Sequence, residues 1–464
     1  MDKIDLFERI VIDAYSVEIA FSGSGYEYPP MYLWREIGGE AVKAGWKKLL
    51  RGRDYVYPGI YLHIPFCASK CSFCQFFSRA LKDRREIDVY LDYLDKEARL
   101  YKGIFGPFAW RTLYIGGGTP SLLSLRQLDR LFSGILYKYF NFSRCIQVAF
   151  ESNPGSLDAK KLKLLKEYGV NRLTIGVQSM DEKVTSACGR AQKQEDVYRA
   201  FSQARNAGIE YISVDLMIGL PGQTSESIID THKRVYELKP DTVHFNAFFP
   251  SPPTQFVKSG GFLTERDIAH KNKLLCLAAS LQDKKPIGND EYGLPESDFA
   301  GRNIQLVDQI RHNSAYLGLG CSASSHINRC LRYMNTDDIS GYYRALDKNT
   351  CPVFLGSRID MRDEMIFYAT ANLRYKGISK KLFYQLFRRR IERVFARELE
   401  ILEKMKKITV DKEYILSAMD SVYEYLAYSK YFYRDELLRK LQRIYRAGGP
   451  GSHQDYLRNF CSCR

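Results

Sequence analysis

Three cysteines stand within eight residues, in Cys67-Ala68-Ser69-Lys70-Cys71-Ser72-Phe73-Cys74. Gaps of four and three residues let one loop wrap a face of an iron–sulfur cube, whose corners accept thiolates singly. A [4Fe–4S] cluster held by Cys67, Cys71 and Cys74 keeps one iron open, which direct binding and activation of a substrate requires. A closed structural zinc wants four ligands, and neither His63 nor the distant cysteines stand at a usual zinc spacing. The chain has eleven cysteines, a number that in a protein without a leader points to metal or redox chemistry more than to a disulfide framework. Cys145, Cys188, Cys276, Cys321, Cys330 and Cys351 are scattered and read as small buried hydrophobes. Cys461 and Cys463 follow Gly448-Gly449-Pro450-Gly451-Ser452; an inert mobile tail is the plainer reading there, a second redox or metal site the sharper one.

A loop of this kind needs a rigid element to launch it. Strand patterns occur at Ile60–His63, Thr112–Ile115, Gln147–Glu151, Arg172–Ile175, Tyr211–Leu216 and Thr242–Phe245. Helical patterns alternate with them at Val89–Tyr101, Leu125–Tyr139, Ala159–Glu167, Glu195–Asn206 and Ser225–Glu237. Repeated strand–helix alternation predicts a parallel sheet with helices packed outside it. Six units predict an α/β fold, a partial (β/α)6 barrel with its site in the loops after the strand ends. The cysteine loop directly follows the first strand. After Thr264 the pattern changes to helices and loops. Apolar residues recur at helical spacing from Ile378 to Lys407, and Ile408–Val410 with Ile415–Tyr433 complete a small, mainly helical C-terminal domain.

The triad and its surroundings resemble the radical S-adenosylmethionine superfamily, in the HemN-like branch typified by oxygen-independent coproporphyrinogen III oxidase. The resemblance rests on an ordered set of motifs: Tyr61-Leu62-His63-Ile64-Pro65-Phe66-Cys67, Gly116-Gly117-Gly118-Thr119-Pro120-Ser121, and Glu151-Ser152-Asn153-Pro154-Gly155. Asn171-Arg172 with Gly176-Val177-Gln178-Ser179, and Asp215-Leu216 with Gly219-Leu220-Pro221-Gly222-Gln223, complete it. It implies a [4Fe–4S] cluster and S-adenosylmethionine, in this branch two molecules, as cofactors. It also implies that one electron, from a partner such as flavodoxin or ferredoxin, splits the cofactor into methionine and a 5′-deoxyadenosyl radical. By the same resemblance Gly117, Gly118 and Thr119 receive the methionine end, and Glu151, Gln178, Arg190 and Asp215 contact the cofactor. Tyr61, Phe245 and Ala247 line its pocket.

Two departures narrow the branch. The oxidase carries a fourth cysteine two residues after the triad, where this chain has Phe76. Its haem-chaperone relatives carry His-Asn followed closely by Tyr-Trp. The nearest match here, His312-Asn313-Ser314-Ala315-Tyr316, has no Trp and runs into Leu317-Gly318-Leu319-Gly320. What remains resembles the methylating members, which pass a methyl or methylene group to an sp² carbon, and Arg302-Asn303 with Tyr316 to Ser325 fits that group. Coproporphyrinogen-type decarboxylation and a haem-binding carrier are the alternatives.

Composition bounds these readings. A 464-residue chain with 45% apolar and 13% aromatic residues is globular and exceeds one ordinary core. Met1 to Phe21 mixes charges into its apolar residues and does not read as a signal peptide, nor is there a long uncharged apolar run, so a cytoplasmic protein is expected. The net charge is +15, and 22 Lys and Arg face 13 Asp and Glu from Met361 to Arg464. A solvated basic face explains that excess most simply; a surface for an acidic substrate or nucleic acid is the sharper alternative. The expected division is an N-terminal extension (1–57), the radical-chemistry barrel (58–263) and a barrel-completing, substrate-side segment (264–355). A HemN-like C-terminal domain (356–446) and a flexible tail (447–464) follow.

Overall fold

The structure is a computed structural model. It describes residues 28–52, 57–106, 108–248, 254–261, 263–281, 285–286, 291–293, 302–374, 377–419 and 428–440. The tail with Cys461 and Cys463 lies outside the described residues.

Six parallel strands form the centre of one sheet: β1 (Gly59–Ile64), β2 (Thr112–Gly117), β3 (Gln147–Ser152), β4 (Val170–Gln178), β5 (Tyr211–Ile218) and β6 (Thr242–Ala247). They pair in chain order. Each is followed by at least one helix that returns along the outside, the longest being Arg85–Phe105. Several of these helices start from side-chain caps: Ser124 with Gln127, Asp158 to Lys161 N, and Thr224 with Ser227. Such caps satisfy amide donors that the first helical turn leaves free. The helical stretch after β2 contains a π-helical segment, Arg130–Leu136, inside the single helix read from sequence.

The strands have two unlike faces, because successive side chains alternate across a pleated sheet. One face carries Ile60, Leu62, Leu113, Ile115, Phe150, Leu173, Ile175, Ile212, Val214 and Val243, all buried in the main core beneath the helices. The other carries Tyr61, Tyr114, Ala149 and Arg172, which are register neighbours across four strands. Further along the same face Glu151 meets Thr174 and Ser213, and Gly176 meets Asp215 and His244. A polar lumen is thus backed by an apolar shell.

Segment 264–355 differs from its sequence reading of helices and loops. It contributes β7 (Tyr316–Leu319), parallel to β1, then β8 (Ser324–Ile327), β9 (Leu331–Asn335) and β10 (Val353–Arg358), each antiparallel to the one before. The glycines and serines of this stretch blur the alternation that would have announced strands. In the C-terminal unit the helix expected over Ile378–Lys407 is broken. It divides into Lys380–Phe387, Ile391–Val394 and Ala396–Lys404, with Arg388 in the left-handed region (φ 53°). Tyr414–Ser417 is a strand, paired with Ile408–Val410 and Ile378–Ser379, where a helical run was expected. A second core, built on Phe383, Phe387, Phe395, Leu402 and Phe432, holds this unit. Among the scattered cysteines Cys188, Cys321 and Cys351 are buried as expected and Cys145 and Cys330 half-buried, but Cys276 is exposed. No helix among the described residues is long and apolar enough to cross a membrane.

Helix Arg85–Phe105 is tied to the β7–β9 region by a buried carboxylate. Glu97 accepts hydrogen bonds from Gly320 N (2.7 Å), Asn335 Nδ2 (2.7 Å) and Tyr342 Oη (2.6 Å). Two turns earlier Tyr90 Oη donates to His63 O (2.7 Å) and accepts from Cys321 N (3.0 Å), so the same helix holds the end of β1. Burial pushes the Glu97 carboxyl up to about 7, against the pull of its three donors. A carboxyl raised on folding contributes stability that is present below its unfolded value and is lost as pH rises through the folded one. The stability difference between wild type and Glu97→Gln should therefore fall by about 3 kcal/mol between pH 4.5 and 8. Chemical denaturation across that range measures it; a difference independent of pH would show that Glu97 does not titrate on folding.

Candidate active site

The cysteine loop grows directly out of β1. Gly118 N donates to Ile64 O (2.7 Å) and Thr119 N to Phe66 O (2.8 Å), so the bonding between β1 and β2 continues into the loop. At its base Phe66–Cys67 pairs with Arg79–Ala80, and Leu81 N donates to Cys67 O (2.8 Å). Cys67, Cys71 and Cys74 are free thiols and half-buried. Thr119 Oγ1 lies 3.5 Å from Cys67 Sγ, and Arg190 Nη1 lies 4.0 Å from Cys71 Sγ. Burial raises the Cys74 thiol, and the nearby Lys70 ammonium opposes that rise.

Gly116, Gly117 and Gly118 lie against three different neighbours. A Cβ on Gly116 would stand 2.7 Å from Glu151 Oε2, and one on Gly117 would stand 2.9 Å from the His63 ring. On Gly118 it would stand 2.6 Å from Phe66 O and 3.0 Å from Cys67 Sγ. Gly117 also has φ 113°, which L side chains rarely adopt. The triple glycine is therefore a place of close backbone approach to the protein's own groups.

The sequence-derived polar residues divide into two sets. The first lies on β1–β3. Tyr61 Oη bonds His63 Nδ1 (2.8 Å) and His63 Nε2 bonds Phe77 O (2.8 Å). Burial lowers His63 to about 4, the bond to Phe77 O opposing it. The ring is neutral at pH 7; with Nε2–H donated to Phe77 O, Nδ1 accepts from Tyr61, a tautomer inferred from these bonds. Glu151 accepts from Tyr114 Oη (2.6 Å) and from Gly117 N (3.1 Å). Burial raises Glu151 to about 7, with Asp215 pushing the same way and Tyr114, Gly117 N and Arg172 pulling it down.

The second set lies on β4 and β5 and the loop after β4. The register slips between Gly176 and Gln178, a bulge that puts Gln178 at φ 67°. Its Nε2 would stand 2.9 Å from a Cβ on Gly176, so the amide lies over that glycine. Arg190 donates to Gly176 O, and its Nε donates to Gln192 Oε1 (2.9 Å). Asp215 is the register partner of Gly176, and its Oδ1 lies 3.8 Å from His244 Nδ1. It sits three residues inside β5, not at the strand end where the sequence put it.

Phe245 and Ala247 turn their side chains to the helix-covered face of β6, so only their backbone is offered to the lumen. Phe245 is paired with Leu216 and belongs to the main core, and Ala247 pairs with Ile218 on the same alternation. On β6 the lumen position is His244. Sequence reasoning did not single out Tyr114 or His244, and quoted Arg172 only within a motif; polar residues at every second position of otherwise apolar strands were the signal available.

These residues fit a [4Fe–4S] cluster and S-adenosylmethionine. Three free thiols share one loop, a glycine cradle abuts one sulfur, and polar lumen groups lie beyond it. Among the described residues no three His, Cys, Asp or Glu side chains converge on one metal ion. A cube asks for something else, thiolates spaced to meet separate irons.

Comparison with known proteins agrees. The family model "Radical SAM superfamily" matches residues 61–235. The heme chaperone HemW of Bacillus subtilis is 30% identical over 351 residues, 74% of this chain and 90% of its own. Oxygen-independent coproporphyrinogen III oxidase of Salmonella typhimurium is 31% identical over 325 residues, 66% of this chain and 69% of its own. The solved coproporphyrinogen III oxidase (HemN) of Escherichia coli shares the fold, with a TM-score of 0.75 at 24% identity over 87% of this chain and 96% of that one. A cysteine loop launched from β1, a glycine cradle against it and these relatives lead to one conclusion: the chain belongs to the radical SAM superfamily, in its HemN-like branch, and works with a [4Fe–4S] cluster and S-adenosylmethionine.

Proposed function

We propose that the protein is a radical SAM methyltransferase that passes a methyl or methylene group to an sp² carbon of a small conjugated molecule, such as a tetrapyrrole or an aromatic natural product. When bound, the cluster and S-adenosylmethionine supply one-electron cleavage of the cofactor and hence a 5′-deoxyadenosyl radical. The observation that supports the reading is Phe76 at the position of the oxidase's fourth cysteine, next to a lumen lined with polar groups on β1 to β5. Cys67, Cys71 and Cys74 hold the cluster. Gly117, Gly118 and Thr119 present backbone to one methionine end, and Tyr61 and Glu151 orient the attached nucleoside. Gln178 and Asp215 hold the ribose and Arg190 the carboxylate of the same molecule, beside which a second one, the methyl donor, binds. A buried lumen keeps water from the reactive species. Phe76, in place of a fourth cysteine, favours methyl transfer over the reaction named for the oxidase relatives. The haem-related names of HemW and the oxidase make a tetrapyrrole the first acceptor to try.

Three outcomes are expected. Reconstituted wild type should bind about four irons and absorb near about 400 nm. Replacing Cys67, Cys71 and Cys74 by Ala, or Gly118 by Ala, should abolish both while circular dichroism stays native; iron retained in the triple variant would place the cluster elsewhere. Asp215→Ala and Gln178→Ala should weaken S-adenosylmethionine binding with iron intact, and Arg190→Ala should cost about 1.5–3 kcal/mol by calorimetry, the worth of a charge-assisted hydrogen bond. Unchanged affinity in all three would remove them from the pocket. With methyl-deuterated cofactor and haem or an indole acceptor, turnover should give both S-adenosylhomocysteine and deuterated 5′-deoxyadenosine. Turnover with carbon dioxide and no S-adenosylhomocysteine would replace methyl transfer by decarboxylation, and tight haem binding without 5′-deoxyadenosine would make the protein a carrier.

A further inference from the structure

The C-terminal unit has a connectivity of its own. Helix Met361–Arg374 leads to strand Ile378–Ser379 and helix Lys380–Phe387. The helical pieces Ile391–Val394 and Ala396–Lys404 follow, then strands Ile408–Val410 and Tyr414–Ser417. The last strand pairs with both others and so lies between them. Two helices joined by a three-residue turn and followed by a β-hairpin make a winged helix-turn-helix. The turn is Arg388-Arg389-Arg390. Arg388 takes the left-handed conformation (φ 53°) that closes the first of the two helices, and its N–H donates to Tyr384 O (2.8 Å). Phe383, Phe387 and Phe395 pack across the turn, with ring centroids 4.8 Å apart for Phe383 and Phe387 and 6.4 Å for Phe383 and Phe395. One face of each helix is thereby committed to the core, and the opposite face is set outward.

That outward face is basic where the two helices meet. From Lys380 to Arg397 seven basic residues stand against one acid, Glu392, which Lys380 holds at 2.8 Å. Arg388, Arg389, Arg390 and Arg393 are exposed and form no ion pair among the described residues. Arg393, Ala396 and Arg397 share the exposed side of the second helix, while Ile391, Phe395, Leu399 and Leu402 fill its core side. Glu398 is buried, and the exposed acids Glu400 and Glu403 lie toward the other end of the helix, Glu400 bound by Lys404 (2.6 Å). The hairpin tip Asp411-Lys412-Glu413 has no positive excess. The unneutralised charge is thus concentrated in the turn and the start of the second helix. In helix-turn-helix proteins that is the part which meets base edges and adjoining phosphates.

We infer that this C-terminal unit binds duplex DNA, laying the helix that begins at Ile391 in the major groove and the Arg388–Arg390 turn along the flanking phosphates. Four exposed arginines within six residues supply the counterion-releasing contacts that such binding needs. Their planar guanidinium groups match phosphate oxygens in pairs. Ala396, small and in the middle of the exposed side, lets the helix come close to the base edges. An acidic protein asks for positive charge but not for a turn and helix in this order. An A-form RNA duplex has a major groove too deep and narrow for a helix to read. DNA binding of this kind is independent of the reaction proposed above and is measured without turnover.

The test uses full-length reconstituted protein and, as probe, a fluorescein-labelled DNA duplex of mixed sequence, followed by anisotropy at several salt concentrations. The logarithm of the affinity should fall linearly with the logarithm of salt, with a slope of about −0.9 for each phosphate neutralised. Arg389→Ala and Arg393→Ala should each flatten that slope by about one, and the double variant should raise Kd about tenfold or more. Ala396→Glu, which sets a carboxylate in the middle of the docking face, should also raise Kd. Lys163→Ala, at an exposed lysine of the barrel, should leave it unchanged. Iron content, S-adenosylmethionine binding and circular dichroism should match wild type throughout, which separates lost DNA binding from lost fold. Wild-type protein without salt-dependent binding, or Arg389 and Arg393 variants with wild-type Kd and slope, would overturn the assignment. So would equal or tighter binding of an RNA duplex of the same sequence. Displacement of the DNA by poly-glutamate at equal charge would overturn it too, because the face would then read negative charge alone.

Discussion

Each central strand must satisfy two environments at once. One face is pressed into an apolar shell of helices, while the other presents tyrosine, histidine, arginine and carboxylate groups to a lumen. The period of a strand is two, so a slip of one residue in any pair would send Glu151 or Asp215 under the helices and bring Phe150 or Leu216 inside. Burying an unpaired carboxylate costs several kcal/mol. The register is therefore fixed from both sides, and the precision of the site is a by-product of the same constraint that folds the sheet. Of the two slips among the central strands, at Val148–Ala149 and at Gly176–Gln178, the second is placed where it re-aims a single amide.

The lumen has an electrostatic character of its own. Glu151 is raised by burial and by Asp215, His63 is held neutral, and Tyr61 and Tyr114 are pushed well above their ordinary range by burial. Arg172, Arg190 and Asp215 supply the charges of this region, which suits ligands that bring charge of their own, a sulfonium and a carboxylate. Partial burial strengthens each hydrogen bond made here.

Most of the barrel was legible because its signals are local. Strand–helix alternation located the six central parallel strands, one to three residues short at the C-terminal end, where Gly116–Gly117 and Met217–Ile218 continue the ladder. The cysteine spacing carried the cluster. What escaped depends on long-range pairing. Tyr316–Leu319 has little strand propensity beyond Tyr and Leu, and it is a strand because β1 offers it a parallel edge. His244 and Phe245 show the same limit: adjacent in sequence, they face opposite sides, and a motif match alone does not say which. Arg388 ended a helix that apolar spacing alone would have continued.

Among the described residues the arc of strands does not close on itself. On one side it runs through β7 into three antiparallel strands and ends at Arg35–Glu36; on the other it ends at Glu291–Gly293 and Lys285–Pro286. A closed eight-stranded barrel fills its interior with its own side chains, whereas an open arc has margins that can gain, lose or exchange strands without moving the middle. The cysteine loop, the glycine cradle and the polar lumen groups all sit in that middle. A change at either margin therefore leaves the register around Cys67, Glu151 and Asp215 untouched, so the outer walls and the centre can be altered separately.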